Sequence, residues 1–450
     1  MKTTAVVLAA GQGTRMRSSL PKVLHSLLGR PLILYAIETA QQATGSEPVV
    51  VIGYGADQIR EKVAIAAHFV LQEPQLGTGH ALHQAEALLR GQSDQVLVTT
   101  ADMPLLSAET LQRLAQAQAR HTGPISMLTL MADDPRGFGR VIRAADGSVR
   151  AIVEEIQATP DELAIRELNA SVYCFASEWL WETLPRISLS PKGEYFLTDL
   201  VGIARAENLD VQAILADDPI ETIGINTRVH LAEAEMQLRR RINRSWMMAG
   251  VTIVDPANTY IEPGVEIGMD TIIWPNTFLQ GASTIGRECV LGPNTIVKDG
   301  MIGDRCKVLA SVLDQAVMED ESEVGPFGHL RKGAHLAQGV HLGNFGEVKN
   351  SFLGAGTKMG HFSYIGDATI GENVNIGAGT ITCNFDGEKK NLTEIGAGVF
   401  IGSDTMLVAP IKLGERARTG AGAVVTKNVA ADTLVVGMPA RAIRKLVKGG

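Results

Sequence analysis

The residues Leu8-Ala9-Ala10-Gly11-Gln12-Gly13-Thr14-Arg15-Met16, followed by Pro21-Lys22, bring two glycines, an arginine and a lysine behind a short apolar run, Ala5-Val6-Val7-Leu8. Glycines let backbone N–H groups approach a phosphate closely, and Arg and Lys neutralise it. No glycine stands at position 16, so the Gly-x-Gly-x-x-Gly dinucleotide fingerprint is absent. The P-loop pattern is absent too. What fits is a nucleoside triphosphate held at the first strand-to-helix turn of an open sheet. Taken alone, the segment also fits an N-terminal strand with an ordinary glycine turn.

Asp102 ends a second apolar run, Val96-Leu97-Val98-Thr99, within Thr99-Thr100-Ala101-Asp102-Met103-Pro104. A carboxylate at the carboxyl end of a parallel strand faces the ligand crevice and can hold Mg²⁺ against triphosphate oxygens. The alternative is an Asp that caps the next helix. Gln72 can read a base edge, and Gly77-Thr78-Gly79-His80 allows close approach to it. Asn226, in Gly224-Ile225-Asn226-Thr227, is the candidate second metal ligand. Far along the chain, His361 in Gly360-His361-Phe362-Ser363-Tyr364 is a candidate general base near neutral pH, with a carboxylate partner expected from Glu347. Arg331, Lys349 and Lys390 supply cations for a sugar phosphate.

Two kinds of architecture must position these groups. At 450 residues the chain exceeds one ordinary core. Up to about residue 226, apolar strands such as Val49-Val50-Val51-Ile52 alternate with helical stretches at 31–43 and 108–120. That alternation implies an α/β domain with a mostly parallel, doubly wound, Rossmann-like sheet. Residues 227–249, without Gly or Pro before Gly250, read as one connecting helix. The repeat region runs from 250 to 450, and its composition differs: 30 of the 47 glycines fall beyond Gly250. Ile261, Ile267, Ile273, Leu279, Ile285, Leu291 and Val297 recur every six residues, as do Val324, Leu330, Leu336 and Leu342, and again Ile395, Ile401, Leu407 and Leu413. A helix cannot hold a six-residue period on one face. Three flat sides of six residues per coil can, each pointing one aliphatic inward. The phase breaks between Ile376 and Ile395, 19 steps read as three sides plus one residue, with the polar stretch 383–391 expelled as a loop.

Net charge is −8, which implies no broad basic face and argues against a nucleic-acid partner. The cysteines, Cys174, Cys289, Cys306 and Cys383, are scattered without Cys-x-x-Cys, which suits a reducing cytoplasm and offers no zinc site. The N-terminal apolar run is too short for a signal peptide, and no window reaches a membrane span.

The N-terminal motif resembles the L-A-A-G-x-G-T-R-M…P-K signature of sugar-1-phosphate nucleotidylyltransferases. The resemblance implies that Leu8, Ala9, Ala10 and Gly11 meet the nucleotide and that Arg15 and Lys22 hold phosphates. Matched to uridylyltransferases acting on N-acetylglucosamine 1-phosphate, it implies Gln72, Gly77 and Thr78 at uracil. Gly139, Glu154, Asn169 and Thr198 would stand at the sugar, and Asp102 with Asn226 at Mg²⁺. Thr100-Ala101 stands where that family often has Tyr-Gly. The second half is similar to the hexapeptide-repeat acyltransferases, which implies a left-handed parallel β-helix and a homotrimer. Arg331, Lys349, His361, Tyr364, Asn375, Asn384 and Lys390 match the glucosamine-1-phosphate N-acetyltransferase half of the bifunctional bacterial enzymes that make UDP-N-acetylglucosamine. There His361 would take the amine proton, and Asn384, Phe385, Ser403 and Ala421 would lie along acetyl-CoA. Phe385 replaces a common Tyr. The arginine that often meets coenzyme A near the last coil is not found at its usual place, leaving Arg441 or Arg444 as substitutes. Two other functions fit the same folds: a single-activity nucleotidylyltransferase with a β-helix for assembly, and a non-catalytic regulatory subunit.

Overall fold

The structure is a computed structural model and describes residues 1–445. The chain divides into two compact units, Met1–Leu238 and Arg239–Gly450. The boundary falls inside one long helix, Arg228–Met248.

The first unit is built on a nine-stranded sheet. Its strands include β1 (Thr3–Ala9), β2 (Val49–Ile52), β3 (His68–Leu71) and β4 (Gln95–Thr100), then β5 (Ile125–Met131), β6 (Glu167–Ala176) and β7 (Val211–Leu215). Their spatial order is β7-β5-β6-β4-β1-β2-β3. Pairing is parallel from β4 through β1 and β2 to β3, and between β7 and β5. The sheet departs from an all-parallel one at β6, which runs antiparallel to both neighbours. The physical reason is the β5–β6 connection, which is a hairpin (Arg140–Arg143 with Val149–Val153) and not a crossover helix.

The helix Leu32–Thr44 forms because Leu32, Ile33, Ala36, Ile37 and Ala40 make one buried face, and Gly45 at φ 69° ends it. The helix Ala108–Arg120 starts where the Ser107 hydroxyl accepts from the Thr110 N–H. Both lie on the sheet and bring its strand ends, with Ala10-Gly11 and Asp102, to one crevice.

The second unit is a left-handed parallel β-helix whose described strands stack in three sheets of twelve, ten and nine. On the ten-stranded face, Ile261, Leu279, Val297, Leu313, Leu330, Val348 and Ile365 form one fully buried column. Full burial of such a side chain contributes about 2 kcal/mol, and the other two faces carry similar columns, such as Ile273, Leu291 and Leu342, so these columns hold the coil stack together. The inward column continues between Val297 and Val324, a stretch the six-residue count leaves out, and one reading of the repeat is corrected. Ile302, Val308, Leu313 and Met318 are the buried residues there, and three sides are one residue shorter. The ladder pairs Thr284 with Met301 and Ile296 with Val312 accordingly. The break between Ile376 and Ile395 is not three sides plus one residue. It spans two sides and seven extra residues, because Ala368 pairs with Thr393, Asn375 with Phe400 and Ile381 with Met406. The intermediate side was hidden because Thr382, not an aliphatic, points inward there. Its hydroxyl accepts from the Gly366 N–H at 2.8 Å.

Among the described residues no helix is long and apolar enough to cross a membrane.

Candidate active sites

In the first unit, a cleft of about 540 Å³ opens at the strand ends. Of the expected residues, Leu8, Ala9, Ala10, Gly11, Lys22, Gln72, Gly77, Thr78, Asp102, Glu154 and Thr198 line it. Gly77 stands at φ 93°, and a Cβ there would lie 2.7 Å from the Tyr195 carbonyl oxygen, so only glycine lets that loop close on the cleft. Gln72 is buried and donates to the Gly77 carbonyl at 2.9 Å. The Thr78 hydroxyl accepts from the Leu197 N–H at 3.0 Å. Gln72 is thus tied to the Gly77 turn, and Thr78 of that turn to the backbone at Leu197.

Lys22 is the electrostatic centre of the cleft. Its ammonium donates to Asp102 Oδ2 at 2.6 Å and to Asn226 Oδ1 at 3.2 Å. Asn226 reaches this point because the Ile225 N–H donates to the Asp102 carbonyl at 2.8 Å. The Thr100 hydroxyl donates to Asp102 Oδ1 at 2.7 Å. Burial alone would raise the Asp102 carboxyl; the Lys22 charge and these hydrogen bonds outweigh it and hold the carboxyl below its usual range.

The donor set fits a magnesium ion. A cationic group already sits between a carboxylate and an amide oxygen, and Mg²⁺ takes few protein ligands beside phosphate oxygens and water. Among the described residues no cluster of three or more His, Cys, Asp or Glu side chains offers an all-protein metal cage.

Four expected residues stand outside the lining. Asn226 is one, reaching the cleft through Lys22. Gly139 and Asn169 lie one layer behind it. The Gly139 carbonyl accepts from the Asn169 N–H, and the Asn169 amide donates to the Tyr173 hydroxyl at 2.7 Å. Arg15 is exposed on the short turn Thr14–Met16 and is not among the lining residues. Sequence reasoning missed Ser171, Tyr173, Glu194 and Phe196, which do line the cleft. Ser171 is brought there by a register shift between Asn169 and Tyr173, with Ser171 itself at φ 59°. No local sequence pattern marks that bulge.

In the β-helix, His361 lies in the exposed corner between the strands Lys358–Met359 and Ser363–Gly366. Tyr364 follows on the ten-stranded face, and Asn375 approaches the next coil's corner from the twelve-stranded face. The expected pairing of His361 with Glu347 is not formed. Glu347 Oε1 instead accepts from Arg331 at 2.8 Å. Glu347 stands in mid-strand, with its Cα opposite Tyr364 and His329, so the long Arg331 side chain reaches it and the corner histidine does not. Lys349 ends the same strand as Glu347.

The seven-residue insertion is an ordered hairpin. Phe385 bridges to Lys390, whose ammonium lies 4.5 Å from the Phe385 ring centroid. The Lys389 N–H, the Asn391 amide and the Glu388 N–H all donate to Asp386, holding its carboxyl down at about 2. At the root of the hairpin the Asn384 amide donates to Asp367 Oδ2 at 2.5 Å. Ser403 and Ala421 occupy equivalent corners one coil apart. A Cβ on Gly377 would stand 2.6 Å from the Ser403 nitrogen, and one on Gly402 2.7 Å from the Ala421 nitrogen. Arg441 and Arg444 lie on an exposed strand antiparallel to Thr433–Val436.

Residues 5–179 match the family described as MobA-like NTP transferase domain, and residues 393–427 match the hexapeptide repeat of succinyl-transferase. The bifunctional protein GlmU of Trichlorobacter lovleyi is 47% identical over 438 residues, covering 96% of this chain and 95% of its own length. The chain belongs to the bifunctional GlmU family. The GlmU proteins of Shouchella clausii and Streptococcus agalactiae are each 41% identical, covering 96% and 97% of this chain and 95% of their own lengths. The kinship therefore spans both the cleft unit and the β-helix.

Proposed function

We propose that the chain carries both activities of UDP-N-acetylglucosamine synthesis. In the β-helix unit, acetyl-CoA acetylates glucosamine 1-phosphate. In the cleft unit, UTP and N-acetylglucosamine 1-phosphate give UDP-N-acetylglucosamine and pyrophosphate. One observation supports this most. Full-length GlmU kinship coincides with a cleft where Lys22, Asp102 and Asn226 meet at the mouth of a glycine-lined turn.

In the uridylyl step the sugar phosphate oxygen forms a bond to the α-phosphorus as the bond to pyrophosphate breaks. The attacking oxygen is already ionised, so no protein base is needed. Asp102 and Asn226 would hold Mg²⁺, which when bound neutralises triphosphate charge. Lys22 and Arg15 serve the phosphates, Gln72 and the Gly77-Thr78 turn the base, and Glu154 with Thr198 the sugar. In the acetyl step His361 accepts a proton from the amine as the amine nitrogen bonds to the thioester carbon; the C–S bond then breaks and CoA leaves as its thiol. Arg331, Lys349 and Lys390 hold the phosphate. Asn384, Phe385, Ser403 and Ala421 line the acetyl-CoA path. We further propose a cytoplasmic homotrimer whose 383–391 hairpin completes a neighbour's acetyl site.

The test is a substrate panel on one preparation, following CoA thiol release with glucosamine 1-phosphate and pyrophosphate release with UTP. Absence of thiol release leaves a single-activity nucleotidylyltransferase. Absence of both leaves a regulatory subunit.

Two further outcomes follow. Burial pushes the Glu154 carboxyl above its usual range, with Asp199 and Glu194 adding like charge against the Thr198 hydroxyl, which donates to it at 3.0 Å. Its neutral form is favoured in the fold, so ionisation costs stability. That cost is absent below the ordinary carboxylate range and complete once pH passes the raised value. Glu154→Gln should therefore raise Tm at neutral pH, with the gain closing near about pH 4. It should also raise KM for the sugar phosphate roughly tenfold, as one charge-assisted hydrogen bond is lost. A parallel set of thermal melts and initial rates checks both.

At the other site, a Cβ on Gly343 would lie 2.0 Å from the Gly360 carbonyl oxygen, directly beside His361. Gly343→Ala should cost about 1–3 kcal/mol and displace that corner. Acetyl transfer should fall while uridylyl transfer holds, and the two rates on one sample decide it.

A further inference from the structure

The Lys22 ammonium occupies the place that the two candidate metal ligands define: it is 2.6 Å from Asp102 Oδ2 and 3.2 Å from Asn226 Oδ1. Both partners of the ion pair are largely buried, with side chains 12% and 21% exposed. We propose that Lys22 fills the cation seat until a triphosphate draws it away, so that the divalent cation and the nucleotide enter as one unit. This rests on the reading of the cleft as a nucleotide site.

The physical case is short. A buried carboxylate without a counter-charge is costly, and Lys22 supplies that charge in the empty cleft. A divalent cation arriving alone must either expel the ammonium or lie about 3 Å from it, and like charges at that range repel strongly away from bulk water. A triphosphate changes both terms at once. Its oxygens give Lys22 a new partner on the same side of the cleft, where Gly11 and Ala10 already line the wall. A lysine suits this, since its ammonium is a point charge on a flexible stem, whereas a planar guanidinium would be locked to one carboxylate geometry. By linkage, the factor by which nucleotide tightens the cation is the factor by which the cation tightens nucleotide.

Mn²⁺ provides a probe that needs no turnover. Its binding to the full chain is followed by loss of the free-ion EPR signal. Without nucleotide, Lys22→Met should bind Mn²⁺ about tenfold more tightly than wild type, and Asp102→Asn in the Lys22→Met background should remove the gain. A UTP analogue with a non-cleavable α,β-bridge should tighten Mn²⁺ on wild type by a similar factor and on Lys22→Met by far less. Should Lys22→Met fail to fold, Lys22→Gln takes its place, with the Mn²⁺-dependent rise in Tm compared between it and wild type. Equal Mn²⁺ affinity of the two folded proteins without nucleotide overturns the proposal, whatever the analogue does. Failure of the analogue to bind either protein overturns the nucleotide reading instead; it appears as a missing nucleotide signal and leaves the metal-only comparison intact.

Discussion

His361→Ala should lower acetyl transfer by about 10²- to 10⁴-fold, the usual worth of a positioned general base, and leave uridylyl transfer at the wild-type rate. The residue lies in an exposed corner, with no core around it to collapse, so the substitution should not move Tm. The loss should fall on kcat, because the imidazole acts on the amine during attack and does not hold the phosphate. The structure sharpens one further point. Glu347 is engaged by Arg331, and among the described residues no carboxylate forms an ion pair with His361. Arg331→Ala should therefore not mimic His361→Ala. An unchanged acetyl rate in His361→Ala would show that the corner histidine is only a surface residue.

Asp102→Asn should reduce uridylyl transfer on the order of 10³-fold or more, the scale of several kcal/mol lost when a metal ligand and its charge are removed. Acetyl transfer on the same sample should be unaffected, since Asp102 belongs to the other compact unit. A stability signature accompanies the kinetic one. The Asp102 carboxyl is held below its usual range, so its pairing contributes stability above the ordinary carboxylate pKa and loses it as pH falls through the lowered value. Wild type should melt higher than Asp102→Asn at neutral pH, and the two curves should converge in acid. Equal loss of both activities in a folded protein would contradict the assignment of the two chemistries to separate units.

Much of this was legible because the relevant residues are contiguous or periodic. The phosphate turn is one unbroken segment behind one strand. Asp102 is marked by the strand it terminates. The β-helix repeats its inward aliphatic so often that a few columns reveal the rest. Legibility fails where position depends on a non-local register. The bulge that carries Ser171 into the cleft arises from how β6 meets β5, which neither strand encodes alone. The shortened sides around Ile302 and Leu313 break a count made residue by residue. Thr382 conceals a complete side because a hydroxyl satisfied by the Gly366 backbone does the work of an aliphatic. The partner of Glu347 was misjudged because spacing along the chain does not say which of two cations the lateral columns bring within reach.

The inserted hairpin has a consequence for how the chain assembles. Most rungs of the β-helix join residues 16 to 18 apart, so the stack can grow by zippering, each finished coil templating the next. The insertion widens three successive rungs to 25 residues. Closing a loop of 25 in place of 18 costs only about 0.3 kcal/mol more, since the entropy grows with the logarithm of length. Growth therefore passes over the chemically specialised coil almost as fast as over a plain one. The next coil returns to an interval of 18 at Thr393–Ile411. A corner of this kind can accept foreign segments of similar length without slowing the growth of the stack.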